Sequence, residues 1–137
     1  MNNVLFFMTP KAMCAHLHAD DTMRQALERM EKAHYSALPI LDKKGRYVGT
    51  LTEGDMLWAL KDMCNMDLRQ TENHRIMDIA HRRNYVAVRV NTSMQDLIDT
   101  AASQNFVPVV DDKKDFIGII TRSAIMKYCK EKLFEED

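Results

Sequence analysis

The sequence of 137 residues contains no C-x-x-C pair, no excess of either charge, and no apolar run near the ~18 residues of a membrane-spanning helix. Each absence removes a class of protein. Cys14, Cys64 and Cys129 are far apart and odd in number, so neither a disulfide framework nor a zinc knuckle is indicated. Reduced thiols are expected. A formal net charge of −1 gives no electrostatic reason to bind nucleic acid or an anionic membrane. The opening stretch from Met1 to Phe7 has neither the basic start nor the apolar length of a secretory leader, so a cytoplasmic protein is expected. GxSxG, P-loop and HExxH patterns are missing as well, and with them the usual means of holding a nucleophile, a phosphate or a catalytic metal. No enzyme is expected. What is present is the balance of a folded globular chain, 46% hydrophobic and 28% charged. Most of the eleven methionines fall on apolar helix faces, where a flexible thioether fills gaps.

The chain also repeats itself. Tyr35 to Thr52 and Gln104 to Thr121 share one order of features: an apolar run interrupted by proline, an aspartate turn, then a second apolar run containing glycine. Pro39 and Pro108, Asp42 and Asp111, Gly49 and Gly118, and Thr52 and Thr121 are each 69 residues apart. Upstream, Thr22-Met23 matches Ser93-Met94 at a separation of 71, so the second repeat has lost two residues between its first helix and its strand. Phe7-Met8 is echoed by Ile76-Met77.

Each repeat reads as β-α-β-β-α. Thr22-x-x-Gln25 and Ser93-x-x-Asp96 are helix starts in which a side chain accepts from an otherwise orphaned amide. Met23, Ala26, Leu27, Met30 and Ala33 then recur with helical spacing, as do Met94, Leu97, Ile98 and Ala101. Leu38 to Leu41 and Val107 to Val110 suit buried strands opened by proline, and Tyr47 to Leu51 and Phe116 to Ile120 pair back as hairpins. Second helices follow, Thr52 to about Met63 and Thr121 to about Lys132. Residues 65–73 are polar without a core pattern and read as a linker between repeats at 1–64 and 74–137.

This arrangement resembles the CBS domain, in tandem over nearly the whole chain. The resemblance rests on Phe7-Met8-Thr9-Pro10 with its echo at Ile76, on the apolar-Pro-apolar-apolar-Asp segments, and on the stretch from Val48 to Asp55. It is similar to small stand-alone CBS pairs, among them the cyclic-di-AMP-binding CBS protein B family, which Gly118 to Arg122 fits. The resemblance implies an α+β fold of two repeats packed with pseudo-two-fold symmetry, a Bateman module with clefts between the repeats. It also implies homodimerisation through helices and a regulatory ligand, AMP, ADP, ATP or cyclic di-AMP, whose binding is passed to a separate target protein. No catalytic cofactor is implied.

Carried onto this sequence, the ribose-phosphate motif falls on Thr52 and Asp55. Thr52 begins a helix directly after a strand, where free amides and the positive dipole end favour phosphate, and Asp55 can accept from ribose hydroxyls. The base slot falls on Thr9, Ala15, Tyr35, Ser36, Ala37 and Leu38, and Pro39 and the second repeat's Val86, Phe106, Val107 and Pro108 are further candidate nucleotide-binding positions. Thr-x-x-Asp is equally a helix cap that needs no ligand, and both readings stay open. The second repeat keeps Thr121 but has Ala124 in place of the aspartate. Arg122 beside it, and Arg83 in the basic stretch before Val86, are candidate phosphate donors whose alternative is a solvated side chain.

Two other functions compete. A pair that has lost its ligand and only binds a partner is favoured by Ala124. A metal or redox sensor is suggested by Cys14, His16 and His18, which alternate along an expected strand, although Ala15, Leu17 and Ala19 facing the core explain that alternation equally. The lone Trp58, among Met56, Leu57, Ala59 and Leu60, is expected at a dimer contact.

Overall fold

A computed structural model describes residues 4–79 and 85–134. In chain order the elements are β1 (Thr9–Pro10), β2 (Leu17–His18), α1 (Met23–Ala33), β3 (Ala37–Leu41), β4 (Tyr47–Thr52), α2 (Glu53–Cys64), β5 (Val88–Arg89), α3 (Met94–Ala101), β6 (Phe106–Val110), β7 (Phe116–Thr121) and α4 (Arg122–Leu133). Two compact units divide them, one within Ala15–Asn84 and the other joining Met1–Cys14 to Tyr85–Asp137. The β-α-β-β-α order expected of each repeat is present in both.

In the first unit the sheet order is β2-β3-β4. Central β3 is buried at all five positions, which is why its sequence is an unbroken apolar run rather than an alternating one. β3 runs parallel to β2, with Leu17 opposite Ile40, and antiparallel to β4, with Ala37 opposite Thr52. Pro39 lies inside the strand rather than opening it. Its missing N–H has a visible consequence, since the ladder to β2 begins only at Ile40, one residue further on. Leu17, Met23, Ala26, Leu38, Ile40, Leu51 and Ile76 form the centre of this unit's core. Helix α1 starts with a complete capping box, Thr22 N–H to Gln25 Oε1 at 2.8 Å and Gln25 N–H to Thr22 Oγ1 at 3.2 Å. It ends at His34 in the left-handed region, φ 59°.

The polar segment read as a linker is folded. Leu68–Asn73 forms a 3-10 helix beside α1, held by the Arg24–Glu72 ion pair at 2.9 Å, with Thr71 buried and bonded to the Leu68 carbonyl. Beyond it, Met23 N–H donates to His74 O and Ile76 N–H to Asp21 O, joining the segment to the start of the helix.

The second unit repeats the plan with one addition. Its sheet order is β1-β7-β6-β5, so the hairpin β6–β7 gains an extra edge strand from the beginning of the chain. Thr9 lies opposite Ile119 and Pro10 opposite Gly118, and Val4 is buried with Val88, Leu97, Val107, Val109, Ile120 and Ile125. Pro108 sits inside β6 as Pro39 does in β3, and the ladder to β5 again starts one residue later, at Val109. Helix α3 is three residues shorter than α1. Its end is finished by a side chain rather than by a left-handed residue: Arg122 Nε donates to Ala101 O at 3.1 Å and Arg122 Nη2 to Gln104 O at 2.6 Å.

Candidate functional site

The strand registers place the predicted residues of the first repeat, except Thr9, at one end of its sheet. Because Ala37 faces Thr52, the start of β3 and the end of β4 coincide, and Glu53 N–H donates to Ser36 O at 2.9 Å. Ala15 precedes β2 at the same end, since Leu17 is already level with Ile40. Tyr35 and Ser36 are exposed there, Ala15 and Thr52 half-buried. Ala37 and Leu38, assigned to the base slot, and Pro39 after them are buried in the central strand, so Tyr35 and Ser36 are the exposed part of that stretch.

The Thr-x-x-Asp motif is a formed capping box. Asp55 N–H donates to Thr52 Oγ1 and Thr52 N–H to Asp55 Oδ2, both at 3.0 Å, and Asp55 is only 1% exposed. In the second repeat Ala124 N–H still donates to Thr121 Oγ1 at 3.2 Å, but no carboxylate returns the bond. Arg122, read as a phosphate donor, donates to the Ala101 and Gln104 carbonyls. Arg83 lies outside the described residues.

Two further corrections concern Cys14 and its neighbours. Strand β2 is two residues long, and Cys14 precedes it as the residue closing a 3-10 turn, its thiol directed at the Thr9 and Pro10 carbonyls at 3.4 and 3.3 Å. Burial pushes that thiol's pKa up, which disfavours the thiolate that reacts or binds metal. His16 and His18 meet edge to face, ring centres 5.2 Å apart. Among the described residues no group of three or more His, Cys, Asp or Glu side chains could hold a metal ion.

Sequence reasoning missed Gln104. This residue is 3% exposed and both ends of its amide are bonded: Val86 N–H donates to Oε1 at 2.6 Å, and Nε2 donates to Val86 O at 3.1 Å and to Phe106 O at 3.0 Å. Asn105 N–H donates to the Tyr85 hydroxyl at 3.2 Å, and the Tyr85 ring leans on Phe106. Val86, Phe106 and Val107 are thereby gathered at one sheet end, while Thr9 is paired through β1 to β7. The available signal was a polar residue 69 positions after Tyr35, two residues before an apolar strand.

On the helical side of the first unit a groove of about 940 Å³ runs between α1, α2 and Leu68–Asn73, with Leu27, Met30, Met56, Leu60 and Leu68 in its walls. It is not lined by Tyr35, Ser36, Thr52 or Asp55. Among the described residues no helix is long and apolar enough to cross a membrane.

A model of the CBS domain matches residues 5–62 and again 76–131. The cyclic di-AMP receptor B of Bacillus subtilis is 21% identical over 121 residues, covering 88% of this chain and 82% of that one. In structure the chain is similar to the CbpB protein of Listeria monocytogenes in complex with c-di-AMP, TM-score 0.85 at 20% identity, covering 98% of this chain and 100% of that one. It is also similar to CBSX2 in complex with AMP, TM-score 0.76 at 22% identity, covering 97% and 99%. Other relatives match through part of their length only: the chain spans 20% of each of two longer Methanocaldococcus jannaschii proteins, at 26% and 25% identity.

Proposed function

Because the chain belongs to the CBS-domain family, with two copies of the domain, we propose that it is a regulatory module that binds an adenine nucleotide and acts on a separate partner protein. The observation that carries this reading is the convergence at one sheet end of exposed Tyr35 and Ser36 with the helix start at Thr52 and Asp55. An aromatic face and an apolar floor suit a base, a carboxylate suits ribose hydroxyls, and the positive dipole end of a helix start suits phosphate. Relatives named for cyclic di-AMP and AMP point to the same ligand class. The role is binding rather than catalysis. A ligand here regulates only as far as it prefers one conformation over another. A second copy of the chain is proposed to cover the groove beside α2, where Leu57 and Leu68 are exposed, and sedimentation would show the dimer.

The test is calorimetry and thermal shift with AMP, ADP, ATP and cyclic di-AMP, with GMP as the control. Adenine-selective stabilisation is expected. Asp55→Asn keeps a side-chain acceptor for the cap and removes the charge, so it should weaken a ribose-bearing ligand by about 1.5–3 kcal/mol, the range for hydrogen bonds to charged groups. A well-folded protein indifferent to all four ligands would leave the ligand-free partner module as the function.

A further inference from the structure

The two repeats treat the same backbone position in opposite ways. Register makes Ala15 the counterpart of Val86, since Leu17 pairs with Ile40 as Val88 pairs with Val109. Both residues lie where the proline of the neighbouring strand has interrupted the ladder, so neither has a strand partner through β3 or β6. In the second repeat Gln104 supplies what the ladder omits, its carbonyl accepting from Val86 N–H and its NH₂ donating to Val86 O. In the first repeat the residue at the place of Gln104 is Tyr35, which has no amide and is 54% exposed.

The bonding pattern that Gln104 satisfies has a specific chemistry. A backbone N–H beside a backbone C=O calls for an acceptor next to a donor. The N1 and 6-amino edge of adenine offers that pair, and so does a primary carboxamide. We propose that the Gln104 side chain occupies the base-reading edge of the second repeat, standing in for an adenine, and leaves the first repeat as the one open base site of the chain. This rests on the adenine-nucleotide reading and sharpens it to one base per chain. Gln104 is then a specificity-determining residue that closes a duplicated site from within. The rest of its environment fits a plug held in place: Nε2 also bonds Phe106 O, its own carbonyl receives Arg122 Nη2, and it is 3% exposed. Arg122 and Ala124 fit the same picture, the former engaged with α3 and the latter unable to hold a ribose.

The experiment is titration of the isotopically labelled protein and of Gln104→Ala with AMP, reading stoichiometry by calorimetry and the Ala15 and Val86 amide resonances by NMR. The wild type should bind one AMP per chain, moving Ala15 and leaving Val86 in place. Gln104→Ala should bind a second AMP that moves Val86. Gln104→Tyr, which gives the second repeat the first repeat's own residue, carries the same expectation should the alanine variant fail to fold. Two AMP per wild-type chain, or a folded variant that still binds one, overturns the inference and leaves the adenine-nucleotide reading intact. A wild type that binds none beside a variant that binds one at Val86 would sustain the inference and remove the first-repeat site. No binding by either would end both.

Discussion

Gly49 and Gly118 hold the same register, opposite Ile40 and Val109, and differ in what lies over them. A β-carbon built on Gly49 meets nothing within 4 Å, whereas one on Gly118 would overlap the Thr9 carbonyl oxygen and the Met8 side chain. The cause is β1, which lies on β7 and so covers only the second repeat's glycine. Gly118→Ala should therefore cost about 1–3 kcal/mol, as overpacking against backbone does, while Gly49→Ala stays within roughly 0.5 kcal/mol. Denaturant unfolding of the two variants measures both, and equal losses would mean that β1 does not rest on β7. The repeat pattern made these glycines look equivalent. Their difference comes from a segment more than 100 residues away, which no local window contains. Gln104 was hidden for a related reason, because the polar run Ser103-Gln104-Asn105 before a strand reads as loop until its partner Val86 is brought alongside.

Among elements, the helices were the most legible. Thr22, Thr52, Ser93 and Thr121 all cap as their spacing predicts, because a cap is set by residues three apart. The short strands were least legible, since β2 and β5 are cut to two residues by prolines in a different strand. The hairpin turns fall between these extremes. Asp42 Oδ1 accepts from Lys44 and Arg46 N–H, and Asp111 Oδ1 accepts from Lys113 and Asp115 N–H, so both turns are built on the same aspartate. Those bonds, from Arg46 first, hold the Asp42 carboxyl below its usual pKa. Each turn then needs one left-handed residue, Gly45 at φ 81° in the first and Lys114 at φ 69° in the second. A non-glycine residue there carries about 1–2 kcal/mol of strain, partly offset by the greater freedom of glycine in the unfolded chain. Lys114→Gly should raise stability by about 0.5–1 kcal/mol and Gly45→Lys lower it, both read from the denaturation midpoint. A Lys114→Gly variant that is less stable would show the turn to be relaxed as it stands.

At the scale of the whole molecule the sequence repeat and the packing unit are different things. Family matches at 5–62 and 76–131 follow the order of the chain, whereas the compact units exchange the first segment, sending residues before Ala15 to the sheet of the second repeat. An apolar Phe7-Met8 looks the same in either place, so the sequence contains the echo of Ile76-Met77 without saying which sheet receives it. Val4 decides the matter energetically. It is 1% exposed and packs in the core of Val88, Leu97, Val107, Val109 and Ile120. Val4→Ala removes two methyl-sized groups, about 1.6 kcal/mol at ~0.8 kcal/mol each, with more lost where a cavity remains. That loss should appear far from the substitution in sequence, as faster amide exchange in β6 and β7, with the amides of β3 and β4 exchanging as before. Faster exchange confined to β3 and β4 would instead place the start of the chain on the first repeat's sheet, and the repeat would then coincide with the folding unit.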